Sequence, residues 1–175
     1  PWVPTSPHIP AAASPKYYVC SGILGELGVI SEGIGYTLPF QLFAATWIHA
    51  GDLATRMNAL NLDGVLFRPI TFKPFYGKLK DSTLHGVQIH VTDYVKLNLM
   101  SLQFLFLQTH HELYPEKNPF SAAVVSRLKA FDKVAGTDEV RKRFSSRMKY
   151  EDVKEYLEKD TESFKKESRK YWVYQ

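Results

Sequence analysis

Residues 86–93 alternate strictly, with Val87, Ile89 and Val91 apolar and Gln88, His90 and Thr92 polar. A period of two sends successive side chains to opposite faces of a strand, so one face must meet a core while the other stays polar. Residues 99–113 supply that core, because a helix apolar on nearly every side is buried over most of its surface. A strand of this kind beside such a helix commits the chain to packed layers of sheet and helix.

The remaining segments fit around that pair. Residues 37–46 are apolar and aromatic and predict a buried strand, and residues 52–60 predict a short helix. Residues 65–72 predict a strand, and Pro69, which has no N–H to give to a ladder, places it near an edge or at a bulge. Thr137 follows Gly136 and is positioned to cap a helix through Arg143. Tyr150, Val153, Tyr156, Leu157 and Phe164 mark one stripe of a last helix ending near Arg169, and residues 171–174 predict a short closing strand. Strands and helices are not in strict alternation. The expected class is α+β, a small mixed sheet packed with helices and followed by a C-terminal helical segment.

The 175 residues suffice for one domain with a real core. The net charge of +4 comes from Lys and Arg interleaved with Asp and Glu, as in Lys154-Glu155 and Lys165-Lys166-Glu167. That pattern is a solvated helix face, and no nucleic-acid partner is expected. Cys20 is the single cysteine, which excludes a disulfide framework. The apolar run at residues 97–107 is broken by Asn98, Ser101 and Gln103 and falls short of the roughly 20 residues of a membrane span. No basic start followed by an apolar stretch marks a signal peptide.

Two segments stand apart in composition. Pro1, Pro4, Pro7, Pro10 and Pro15 make residues 1–15 an extended linker or strap, of the sort that follows an upstream domain. Gly22, Gly25, Gly28, Gly33 and Gly35 make residues 16–35 a long glycine-rich loop, a feature more often functional than not. Gly33-Ile34-Gly35 lacks the third glycine and the preceding strand of a dinucleotide fingerprint, and no cofactor is implied.

Glu26 and Glu32 lie in that glycine-rich segment. Glycoside hydrolysis uses two carboxyl groups, one as acid and one as base or nucleophile, and two loop glutamates offer such a pair. Glutamates on surface loops also serve solubility alone. His90 shares the polar face of its strand with Gln88, and Asp93 closes that strand; His90 is a ready acid, base or donor, or a partly buried structural histidine with Asp93 capping the next turn. Arg68 offers a fork for a carboxylate or phosphate, or a structural ion pair. Tyr36, Phe40 and Trp47 offer rings to stack on a sugar or to fill the core. His110, His111 and Glu112 are adjacent on a helix and point in different directions, so no metal site is expected.

In order along the chain, these pieces resemble the second domain of the NamZ family, bacterial exo-β-N-acetylmuramidases of peptidoglycan recycling. Residues 2–10 are similar to the linker into that domain. Glu26 stands for the glutamate of the family's Glu-Gly element. Gly33-Ile34-Gly35 with Pro39-Phe40 resembles its Gly-Arg-Gly-Thr-x-x-Pro-Phe element, and Trp47-Ile48 its Gly-Ala-Pro-Trp-Ile element. Gly64-Val65 with Phe67-Arg68-Pro69 resembles its Gly-Val-x-Phe-Arg-Pro strand. Residues 86–93 are the most specific match, and Tyr114-Pro115 and Arg169-Lys170-Tyr171 also fit. Ile34, Tyr36 and the stretch Ala44-Ala45-Thr46 depart from the family pattern.

The resemblance implies residues 16–175 as the C-terminal domain of a two-domain enzyme, with a Rossmann-like N-terminal domain ahead of the strap. It implies an active site between the two domains and a terminal N-acetylmuramic acid at the non-reducing end of a peptidoglycan fragment as substrate. Glu26, His90 and Asp93 would be catalytic, and Arg68, Tyr36, Trp47, Glu32 and Gln88 would bind substrate. The location implied is periplasmic or extracellular. Two other readings stay open on the residues: a non-catalytic carbohydrate-binding or scaffold domain, and a subunit-contact module.

Overall fold

The computed structural model describes residues 1–77 and 79–173. Its elements run α1 (Ser14–Gly25), β1 (Leu42–Ala45), α2 (Ala50–Asn58), β2 (Val65–Phe72), β3 (Leu84–Val91), α3 (Ser101–Leu113), α4 (Pro119–Ala122), α5 (Val125–Ala135), α6 (Glu139–Arg147), α7 (Glu151–Glu158) and α8 (Thr161–Ser168), with a 3-10 turn at Arg169–Tyr171. The class is α+β with a C-terminal helical segment, as expected. The small sheet has order β1-β3-β2 and is antiparallel throughout, which narrows the expected mixed sheet.

β3 is central because both neighbours pair with it, and its composition suits that place. Val87 and Ile89 enter the main core, while Leu84 joins a smaller apolar cluster with Leu42, Ala44 and Phe72 on the opposite face. β1 approaches β3 closely where Ala44 faces Gly86; a side chain at Gly86 would overlap the Phe43 carbonyl oxygen. β2 is an edge strand, where Pro69 costs no ladder bond. Its outward backbone is paired at one point by the end of α2. The Asn58 amide donates to Phe67 O at 2.8 Å and accepts from Phe67 N at 3.0 Å, which blunts the edge.

α3 is the buried helix. Leu102, Phe104, Phe106 and Leu107 fill the main core, and the Phe106 ring stacks on Phe43 with centroids 4.4 Å apart. Gln103, buried on the same helix, is not a break in the core but a tether to α1: its Oε1 accepts from Leu24 N and its Nε2 donates to Val19 O, each at 3.1 Å.

Five local expectations change. The glycine-rich segment is not one loop, because its first ten residues belong to α1, which Pro15 starts and Gly25 ends. α4 and α5 lie where no element was assigned. Thr137 Oγ1 accepts from Glu139 N at 3.2 Å, and the helix beyond it runs on to Arg147. The last helix breaks after Glu158. The stripe of Tyr150, Val153 and Leu157 calls for an apolar residue near position 160 or 161, and Asp160 and Thr161 stand there instead. α8 therefore buries nothing, and Phe164 is 69% exposed. The expected closing strand is a 3-10 turn at Arg169–Tyr171 followed by residues without regular structure, and its end at Tyr174 lies outside the described residues.

Candidate functional site

The segment after α1 forms the site. Glu26 caps the end of that helix with its N–H on Ile23 O and Leu24 O. Five residues later Ser31 joins β1 through a bridge to Ala44, with N–O distances of 2.8 and 3.0 Å. The bridge brings the chain back beside the last turn of α1, so the Glu32 carboxyl rests against Gly25. The space exists only because residue 25 lacks a side chain: a Cβ there would sit 2.5 Å from the Glu32 carboxyl carbon.

Glu26 and Glu32 thus line one cleft of about 360 Å³, together with Ile34, Phe40, Tyr76 and Arg127. Arg127, from α5, lies 3.8 Å from the Glu26 carboxylate. Burial pushes the Glu32 carboxyl up to about 7; the nearby Glu26 charge adds to the rise, while its own backbone amide and Arg127 oppose it. The cleft therefore pairs a carboxyl that holds its proton near neutral pH with a carboxylate set beside a guanidinium. Two carboxyl groups in unlike surroundings are the elements of acid–base chemistry at a glycosidic bond.

The other sequence-chosen residues lie elsewhere. His90 is exposed and Gln88 buried on the β3 face turned away from the main core, and across from them β2 presents Leu66 and Arg68. Arg68 donates to Gln88 Oε1 at 2.6 Å. This is an open polar strip, but neither His90, Gln88 nor Arg68 lines the cleft of the two glutamates. Asp93 caps its own turn, accepting from Val95 N at 2.8 Å and from Lys96 N at 3.4 Å. Tyr36 packs on Phe72 at 4.7 Å in the smaller apolar cluster. Trp47 packs against the main core and donates from Nε1 to His110 Nε2 at 3.0 Å, with His110 fully buried and held down to about 4 chiefly by burial. Among the described residues, no three His, Cys, Asp or Glu side chains are grouped to hold a metal ion. No helix of the described residues is long and apolar enough to cross a membrane.

Sequence reasoning missed Arg127, Tyr76 and His8 as cleft residues. Nothing local marks them, since each reaches the cleft from a distant part of the chain. For Glu32 the sequence did carry a local signal: Gly33 follows it directly and opens Gly33-Ile34-Gly35, whereas Leu27 follows Glu26.

A family model described as the C-terminal part of the exo-beta-N-acetylmuramidase NamZ matches residues 16–174. The chain is 34% identical over 174 residues to the peptidoglycan beta-N-acetylmuramidase NamZ of Bacillus subtilis (strain 168), covering 99% of this chain and 41% of that protein. It is similar to the crystal structure of a DUF1343 family protein from Bacteroides fragilis NCTC 9343, with a TM-score of 0.95 and 48% identity, covering 99% of this chain and 45% of that one. The chain spans less than half the length of each of these relatives.

Proposed function

The chain belongs to the NamZ C-terminal family, and from that premise we propose that it forms one wall of the active-site cleft of a peptidoglycan glycosidase. The enzyme releases a terminal N-acetylmuramic acid from the non-reducing end, and an N-terminal domain supplies the facing wall. The observation that carries this reading is the pairing of Glu26 and Glu32 in one cleft, with Glu32 raised to about 7. Glu32 gives its proton to the glycosidic oxygen as the bond to the anomeric carbon breaks. Glu26 stabilises the positive charge developing on the sugar ring or takes the proton of the attacking water, and Arg127 fixes its position. Arg68 and His90 offer a second polar strip for the rest of the substrate. Asp93, Tyr36 and Trp47 act through the fold.

The isolated chain turns over little or no substrate, since half a cleft does not hold the sugar in reacting geometry. A peptidoglycan substrate places the work in the periplasm or outside the cell, in cell-wall recycling. A second reading, binding without cleavage, is favoured by Ile34, an apolar residue in the cleft where the resembling element carries arginine.

The test uses the full-length protein with a chromogenic N-acetylmuramic acid glycoside beside its N-acetylglucosamine analogue. Cleavage of the muramoside, with kcat reduced on the order of 10²-fold or more in Glu32→Gln, is the expected result. Cleavage of neither sugar sinks the enzyme reading in favour of binding. Full activity in Glu32→Gln removes the carboxyl from the chemistry.

A further inference from the structure

Tyr76 lines the same cleft and remains without a role, and Phe75 stands beside it. Phe75 is 62% exposed and Tyr76 is 38% exposed, and exposed rings side by side are costly unless something covers them. Their rings meet edge to face with centroids 5.2 Å apart. On Tyr76 lies His8 from the proline-rich strap, stacked at 5.9 Å and 14° with its Nε2 2.5 Å from the tyrosine hydroxyl. Tyr76 and His8 both line the cleft that holds Glu26 and Glu32.

The backbone holds this group in fixed relation to the glutamate. Phe75 N donates to Gly35 O at 2.9 Å, three residues after Glu32. Gly35 has φ +89°, and a side chain there would overlap the Tyr76 carbonyl oxygen. Only glycine adopts that conformation freely and lets the two segments come so close. The aromatic group is thus clamped to the segment carrying Glu32 rather than swinging on a free loop.

We infer that Tyr76, braced by His8 and flanked by Phe75, is a stacking platform for a sugar ring, the subsite for the ring next to the scissile bond on the leaving side. The inference rests on the reading of Glu26 and Glu32 as the carboxyl pair. If those groups act on the bond of a terminal sugar, one ring lies beyond that bond on the leaving side. An aromatic face at the cleft mouth matches the apolar C–H face of a pyranose. Tyr36 and Trp47 are withdrawn from this duty by their packing. Of the exposed rings that line the cleft, Tyr18 packs edge to face on Phe40 with centroids 4.8 Å apart, whereas Tyr76 belongs to the segment clamped beside Glu32.

The experiment compares two substrates in the full-length protein: a disaccharide whose leaving group is N-acetylglucosamine, and the corresponding glycosyl fluoride, which has no ring on the leaving side. In Tyr76→Ala, kcat/KM on the disaccharide should fall roughly tenfold further than on the fluoride, while Tyr76→Phe keeps most of the wild-type ratio. Phe75→Ala, at a more exposed position, should shift the ratio the same way by a smaller factor and guards against misfolding of the Tyr76 variant. An unchanged ratio in both alanine variants overturns the platform. If the wild type cleaves neither substrate, the enzyme reading has failed, and the platform is judged by titrating a chitin oligosaccharide. Binding lost in the alanine variants sustains the platform, whereas equal binding in wild type and variants, or none in wild type, overturns it.

Discussion

Replacing Glu32 by glutamine tests the centre of the cleft without touching its shape. The wild-type carboxyl is raised from an ordinary 4.5 to about 7 on folding, so the folded chain holds its proton more tightly than the unfolded chain does. Stability from that proton is complete below about pH 4.5 and is lost as pH climbs through about 7. At about 1.36 kcal/mol per unit the full loss is at most about 3 kcal/mol, and partial exposure of the residue lowers it. Glutamine is neutral throughout and has no such loss. Urea denaturation of wild type and Glu32→Gln at several pH values between 4.5 and 8 should give curves that diverge, with wild type losing on the order of 2 kcal/mol relative to the variant. His110 acts in the opposite direction. Its pKa is depressed to about 4, so it costs stability as pH falls below its unfolded value, but it does so equally in both proteins and cancels from the difference. Parallel curves would refute the reasoning, because they would mean the carboxyl does not hold a proton in its niche against Gly25.

Gly25→Ala should expel the Glu32 carboxyl from that niche at little cost to folding, since the clashing atoms end a flexible side chain. The Glu32 pKa, followed by NMR, should then fall from about 7 toward the usual carboxylate range. Gln103→Met should destabilise by about 2 kcal/mol in urea denaturation, because it leaves Leu24 N and Val19 O without their side-chain partner between α1 and α3. Gly86→Ala should cost more than about 3 kcal/mol, because the new methyl meets the rigid Phe43 carbonyl of the neighbouring strand. A variant with wild-type thermal stability would contradict the close pairing of β1 and β3.

Several elements were legible because their causes are local. The ends of β2 at Val65 and Phe72 agree with the sequence reading, and Pro69 restricted it to an edge or a bulge because a missing N–H cannot serve two neighbours; the sheet order makes it an edge. The alternation at 86–93 located β3, but period alone could not tell that β3 is central. Its second face is half covered by the Leu42 and Phe72 cluster, and only the His90 end stays open. The break after Glu158 was also present in the sequence, as the stripe that stops at Asp160. α5 carries Phe131 as its buried residue among exposed ones, too weak a pattern to announce a helix.

The sequence by itself determined the class of the fold, the proline-bearing strand, the buried helix and the family, since hydrophobic period, proline chemistry and motif order are properties of short stretches. It also offered Glu26 and Glu32 as the two carboxyls. Tertiary structure alone decided that these two share a cleft while His90 and Asp93 do not. The Ser31–Ala44 bridge, the space over Gly25 and the arrival of Arg127 about a hundred residues after Glu26 in the chain are distances between remote segments. Burial, which sets the Glu32 pKa, is likewise a property of everything packed around the group and is written in no local pattern.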